Sequence, residues 1–258
     1  MELTNEINIK DAIILAGGRG SRLKNEKHNH SKPMTPILGK PLITFTIDAM
    51  LSYGISNIVI VYSQASSDLL NLSRYSDTYN KVVKLVEDTY LMGKLTGFIC
   101  TDGLVKTPFI CSYGDVVVLN PAFSDMLRRG GLQTDKKPDL IIQTVENPSI
   151  PIDGEFEKRL LINNSGQVVR WKKDGYVDIF IPNDCHARAG GMFTLWLKEP
   201  FAMMRNYISC GNKSYSSFME HFVPLHQVYA MPIKDIWDID IHETIIKTEE
   251  ILQERYGT

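Results

Sequence analysis

Ala12-Ile13-Ile14-Leu15-Ala16-Gly17-Gly18-Arg19-Gly20-Ser21-Arg22-Leu23, followed ten positions after Arg22 by Lys32-Pro33-Met34, is the stretch that decides the fold. Its first four residues are apolar without alternation, the pattern of a strand buried on both faces of a parallel sheet. Three glycines follow. Lacking a Cβ, they let a ligand approach the backbone and leave successive N–H groups facing it, which is what phosphate oxygens need. Arg22 and Lys32 add fixed positive charge. The order strand, glycine turn, cations predicts a nucleoside triphosphate site at the carboxyl end of a first strand. Leu15, Ala16, Gly17, Gly18 and Gly20 are its expected backbone contacts.

Two better-known phosphate loops are excluded. The dinucleotide fingerprint fails because Leu23 stands where its third glycine belongs. The P-loop fails because Gly39-Lys40 is followed by Pro41, not by Ser or Thr.

Outward from this stretch, apolar runs alternate with helix-like segments. Pro41–Tyr53 starts on proline, carries apolar residues at helical spacing and stops at Gly54. Strands are expected at Asn57–Tyr62, Val82–Val86, Pro108–Cys111 and Leu140–Val145. Strands interleaved with helices imply one α/β domain with a Rossmann-like, doubly wound, mostly parallel sheet. On such a sheet ligands bind at the carboxyl ends of the strands. The second half reads differently. Arg159–Ile162 and Gln167–Trp171, joined by Asn163-Asn164-Ser165-Gly166, predict a small β-hairpin. Ala187–Leu195 and Gln227–Met231 read as strands, and Ile241–Arg255 as a closing helix. The expected division is a nucleotide-binding half over about 8–145 and an acceptor-binding half over about 146–258, within one domain.

The 258 residues are 43% hydrophobic and 22% charged, the proportions of a globular chain, with a net charge of −2. That balance gives no sign of a nucleic-acid partner. No apolar run approaches the ~20 residues of a membrane span. MELTNEINIK has neither the basic nor the apolar segment of a signal peptide, and the cytoplasm is the expected compartment. Among the four cysteines there is no C-x-x-C pair, and Cys100 and Cys111 read as core thiols. His28-x-His30 reads as part of a solvated loop.

Leu15-Ala16-Gly17-Gly18-Arg19-Gly20-Ser21-Arg22-Leu23 with Ser31-Lys32-Pro33-Met34-Thr35-Pro36-Ile37-Leu38-Gly39-Lys40-Pro41-Leu42-Ile43 resembles the signature of the sugar-phosphate nucleotidyltransferases, the nucleotide-sugar pyrophosphorylases. Gly114-Asp115 and Ile236-Trp237-Asp238-Ile239-Asp240 are similar to two further motifs of that family. The resemblance implies that the glycines wrap the triphosphate while Arg22 and Lys32 serve catalysis by neutralising charge as pyrophosphate leaves. It implies that Asp115 and Asp238 hold Mg²⁺, with Asp240 as the reserve, and that Gly114 lets the chain turn so that Asp115 faces the cleft. Two hard carboxylates suit that ion. It places the base near Ala16-Gly17 and near Glu87–Gly97, with Glu87 and Gly93 as contacts.

For the acceptor, the family's strand-end lysine has its counterpart in Val169-Arg170-Trp171-Lys172-Lys173, so Lys173 and Lys172 are the expected phosphate ligands, under the hairpin. The family's N-A-G strand reads Ala189-Gly190-Gly191 here, beside Arg188, and Arg188 and Gly191 join the acceptor set. Extra positive charge in place of a glutamate and an asparagine suits an acceptor with a second anionic group. The expected partners are therefore an NTP and a phosphorylated small molecule, with homo-oligomerisation left open. Three functions follow: synthesis of an NDP-sugar from an NTP and a sugar 1-phosphate; nucleotidyl transfer to a non-sugar acceptor such as a phospho-amino acid, a phosphonate or phosphocholine; and a silent nucleotide-sugar-binding subunit. Joint retention of Arg22, Lys32, Asp115 and Asp238 argues against the third.

Overall fold

The computed structural model describes residues 8–18, 30–90, 93–118, 137–145, 159–172, 184–233, 236–239 and 242–256. Strand β1 (Asp11–Leu15) is the predicted first strand. Ala12, Ile13 and Ile14 are fully buried, as the unbroken apolar run requires. Two short strands, β2 (Pro36–Ile37) and β3 (Lys40–Pro41), pair around Leu38-Gly39 and lead into helix α1 (Leu42–Tyr53), which ends at Gly54 in the left-handed conformation. Then come β4 (Asn57–Tyr62), the short α2 (Tyr79–Val82), β5 (Val83–Glu87), α3 (Lys94–Ile99), β6 (Phe109–Tyr113) and β7 (Val116–Val118). The second half contributes β8 (Leu140–Val145), β9 (Arg159–Asn163), β10 (Val168–Lys172), β11 (Cys185–Trp196), α4 (Phe201–Ser209), α5 (Tyr215–Phe222), β12 (Val228–Ile233), β13 (Ile236–Asp238) and α6 (His242–Tyr256).

Nine strands from both halves share one sheet in the order β10-β9-β11-β6-β1-β4-β5, with β8 paired to β11 and to β12. β6, β1, β4 and β5 run parallel, as do β8 and β12, while β11 is antiparallel to β6, β8 and β9. The mixed, mostly parallel α/β class is the one the sequence predicts. The sheet is wound on both faces. Ile14 joins a cluster with Ile43, Ile47 and Met50 of α1, whereas its neighbour Ile13 joins Leu95, Phe98, Met204 and Phe222 from α3, α4 and α5. β6 runs two residues beyond its expected end, because Ser112 and Tyr113 stay in register with Ile14 and Leu15.

The predicted hairpin forms around its Asn-Asn-Ser-Gly turn. Asn163 Oδ1 accepts N–H groups of Ser165 and Gln167, and Gly166 has φ of 79°. The hairpin is an extension of the main sheet through β9 and β11. Trp171 is buried and its indole N–H donates to Ser216 Oγ on α5 at 3.0 Å, while Arg170 is exposed. β11 serves two partners in succession: Cys185–Ala189 pair with β9, and Phe193–Trp196 pair with β6. It changes course at Gly190-Gly191. A Cβ on Gly190 would stand 2.2 Å from the Gln143 carbonyl oxygen, so only glycine permits that crossing.

β7 and β13 form a separate two-stranded antiparallel ladder, in which Asp238 is opposite Val116. Beneath it Ile37, Leu42, Val117, Ile239, Ile245 and Leu252 form a third apolar cluster that fastens α6 to the segment after Lys32. The backbone N–H of Leu38 donates to Glu249 Oε1 across the same junction. The four cysteines are free thiols. Cys111 is buried and Cys100 half-buried, where burial and the Asp88 carboxylate raise its pKa. Among the described residues no helix is long and apolar enough to cross a membrane.

Candidate active site

The carboxyl ends of β1 and β6 lie side by side, and Ala16-Gly17-Gly18 and Gly114-Asp115 follow them directly. The ladder continues one step past each strand: Ala16 N–H donates to the Val61 carbonyl and Gly114 N–H to the Leu15 carbonyl. Gly17 is held by Ser63, whose hydroxyl donates to the Gly17 carbonyl at 2.8 Å. At Gly17 an added Cβ would meet nothing nearer than 3.6 Å, and at Gly18 nothing within 4 Å. The protein's own packing therefore does not demand glycine at either place. Space kept open against a backbone is what an approaching ligand uses.

Gly114 is the opposite case. A Cβ there would be 2.7 Å from Ala16 Cβ, 3.1 Å from Ala16 Cα and 3.2 Å from Pro33 Cγ. Its φ is not positive. The reason for glycine is thus contact, not the freedom to turn that the sequence suggests. The two dipeptides Lys32-Pro33 and Gly114-Asp115 interlock: Pro33 seats on Gly114, and Lys32 reaches Asp115.

Lys32 is fixed by a single 3-10 turn, Lys32–Met34, with Pro33 in its first turn. The residue before it, Ser31, donates its backbone N–H to Asp68 Oδ2 at 2.7 Å. From that seat Lys32 Nζ donates to Asp115 Oδ2 at 2.7 Å, with the two side chains 10% and 29% exposed. Burial works against ionisation of Asp115, but the charge and hydrogen bond of Lys32, with the charge of Lys94, outweigh it and hold the carboxyl below its ordinary range. Asp115 is therefore an anion, fit to ligate a cation. The backbone brings Asp238 to it. Asp238 pairs with Val116, and the next residue, Ile239, donates its N–H to the Asp115 carbonyl at 3.0 Å. Among the described residues no group of three or more His, Cys, Asp or Glu side chains is placed to hold a metal. Asp115 thus offers one ionised carboxylate, the hard oxygen donor suited to a divalent cation completed by phosphate oxygens and water.

Glu87 closes β5 and is exposed, while Asp88 beside it is buried. Asp88 accepts from the Tyr90 N–H and from the Thr96 hydroxyl, tying the chain before α3 to the helix itself. Gly93 has φ of 96° and starts α3. Gly97 lies flush on β1 and β4, where an added methyl would be only 3.2 Å from Leu15 Cδ2, so the start of α3 sits over the carboxyl end of β1. On the other side of β6, Arg188 is half-buried on β11 opposite Leu160, and Gly191 is buried with φ of 86°. Lys172 ends β10, opposite Arg159. Arg22, Gly20, Lys173 and Asp240 lie outside the described residues.

Sequence reasoning missed three residues at this edge. Ser63 follows a strand directly, and a hydroxyl at that level is a signal for a bond to the neighbouring loop. Asp68 carries no local signal. Lys94 is the third. Its Nζ stands 3.5 Å from the centroid of the Tyr113 ring.

Known proteins share both the signature and the fold. Residues 11–97 match the nucleotidyl transferase family. A UTP–glucose-1-phosphate uridylyltransferase of Synechocystis sp. is 29% identical over 119 residues, 44% of this chain and 28% of that protein. The chain spans 60% or less of the length of the curated relatives it matches. Among solved structures, the inositol-1-phosphate CTP transferase from T. maritima superposes with a TM-score of 0.75 at 16% identity, covering 96% of this chain and 98% of that one. HddC from Yersinia pseudotuberculosis gives 0.67 at 21% identity, covering 95% and 100%. The amino-terminal third of the chain is thus similar to the nucleotidyl transferase family, and the chain as a whole shares the fold of those two structures.

Proposed function

We propose that this protein transfers a nucleotidyl group from an NTP to a phosphorylated small molecule and releases pyrophosphate, with a sugar 1-phosphate as the first acceptor to consider. The observation that carries the reading is the Lys32–Asp115 pair at the open ends of β1 and β6, beside the uncrowded Gly17-Gly18. A phosphate oxygen of the acceptor attacks the α-phosphorus in line. A new P–O bond forms as the bond from the α-phosphorus to the α,β-bridging oxygen breaks, and the electron pair leaves with pyrophosphate. No general base is needed, because the attacking phosphate is already ionised at neutral pH. The protein's task is positioning and charge neutralisation.

Leu15, Ala16, Gly17, Gly18 and Gly20 line the nucleotide, with Glu87 and Gly93 toward the base. Arg22 steadies the leaving pyrophosphate and Lys32 the α-phosphate. Asp115 and Asp238 would hold Mg²⁺, which when bound neutralises the phosphate oxygens. Lys173, Lys172, Arg188 and Gly191 receive the acceptor. Residues 8–145 thereby serve the nucleotide and 146–258 the acceptor. A half-buried arginine at position 188 favours one second reading, an acceptor with a further anionic group such as a phospho-amino acid or a phosphonate. The test is pyrophosphate release with each of four NTPs against neutral hexose 1-phosphates and doubly anionic acceptors. Release with one pair is expected. No release with any pair would leave the silent binding subunit as the surviving account.

A further inference from the structure

Lys94 is the residue at this edge to which no role has yet been given. It is the first residue of α3, and Gly97 presses that helix onto Leu15 and Val61 of β1 and β4. The ammonium is seated on the face of Tyr113, two residues before Asp115, at 3.5 Å from the ring centroid. A cation over an aromatic face is held by the ring's quadrupole, so its position is specified. Lys32 already makes the direct bond to Asp115. The charge of Lys94 acts on that carboxyl in the same sense, helping to keep it ionised. Phosphate oxygens of a nucleotide bound at this edge are the anions that a cation so placed can receive. The side from which Lys94 comes identifies which phosphate. It reaches in from α3, on the β1–β4 side of β6, whereas Arg188 and the hairpin belong to the β11 side.

We propose that Lys94 is a phosphate-binding residue of the nucleotide site, a further cation on the triphosphate held ready by Tyr113. The role rests on the nucleotidyl-transfer reading above. It also explains why this chain carries a long basic side chain in the segment that follows Gly93. A lysine there that served only to cap α3 would gain nothing from being seated on the Tyr113 ring at the carboxyl end of β6.

The test is calorimetric binding of the α,β-methylene analogues of ATP, GTP, CTP and UTP, with Mg²⁺, to the whole chain. Wild type is expected to bind at least one. Lys94→Met, which keeps the stem and removes the charge, should weaken that analogue about ten- to a hundredfold. Lys94→Arg should recover most of the loss, and the melting temperature of both should stay near wild type, since the side chain is exposed. Binding within twofold of wild type in Lys94→Met overturns the assignment and leaves the nucleotide site standing. An equal loss in Lys94→Arg overturns it too, because charge would not be what the position supplies. Wild type binding none of the four analogues removes the nucleotide reading itself, and the role of Lys94 falls with it.

Discussion

Replacing Gly114 by alanine tests the junction that carries the whole site. The added methyl would stand 2.7 Å from Ala16 Cβ, 3.1 Å from Ala16 Cα and 3.2 Å from Pro33 Cγ. Carbon atoms in contact settle at about 3.5–4.0 Å. The turn after β6 must then retreat from the end of β1 by roughly 1 Å, carrying Asp115 away from Lys32 and from the glycine loop. Overfilling a close-packed contact costs about 1–3 kcal/mol. For a chain of this size that lowers the melting temperature by about 3–10 °C. The catalytic effect should be larger, because a displacement of ~1 Å at the reacting groups can cost about a hundredfold in rate. Thermal unfolding and steady-state pyrophosphate release, with the substrate pair identified as above, measure both. Ala16→Gly in the same chain removes the 2.7 Å contact and should restore most of the lost rate. Wild-type stability and turnover in Gly114→Ala would refute the interlock. A defect that Ala16→Gly leaves untouched would show that the methyl acts somewhere else.

Other outcomes follow from the same geometry. Asp115→Asn should lower turnover by a few orders of magnitude in a chain that still folds, since metal charge stabilisation is worth several kcal/mol; full activity in that variant or in excess chelator would remove the metal role. Lys32→Met should lose about 1.5–3 kcal/mol of stability at neutral pH. Because the folded pKa of Asp115 is depressed, the gap to wild type should be complete above the unfolded value of about 3.9 and close as pH falls through the folded value, which parallel acid titrations would detect. A gap that ignores acid would mean Lys32 acts independently of Asp115. Lys173→Ala should raise KM for the acceptor about ten- to a hundredfold and leave KM for the nucleotide near wild type. Gly190→Ala should unfold the chain or reduce its yield sharply, because its Cβ has no place beside the Gln143 carbonyl; a soluble, stable variant would contradict the close crossing of β8 and β11.

What the sequence made legible is whatever local pattern determines. The unbroken Ala12–Leu15 run is buried on both faces as β1, and the Asn163–Gly166 turn forms because an Asx side chain and a glycine can build it without outside help. Lys32 and Asp115 were each visible as motif residues, yet nothing in their sequences states that they touch. That contact depends on the parallel register of β1 with β6 and on the proline between them. Gly114 was legible as a glycine but not for its reason, since a steric demand made by Ala16 and Pro33 leaves no trace at position 114 itself. Lys94 was hidden differently. A lysine at a helix start reads as a solvated charge, and only the packing of Gly97 on β1 turns it toward Tyr113. The β7–β13 ladder was illegible for a similar cause, because three-residue strands carry too little periodicity to announce a partner.

That ladder has a consequence for how the molecule comes to be able to work. Asp115 follows β6 in the first half, but Asp238 arrives with the last described strand, on a ladder secured by α6. The backbone bond from Ile239 to Asp115 is a contact of high sequence separation, formed after long stretches of intervening chain have found their places. A cation held at that junction, as proposed above, would be bound by the finished fold and by no earlier stage of it. By mass action such an ion would stabilise the tertiary structure as a whole, nucleotide half and closing helix alike, and its affinity would report how nearly complete the folding is.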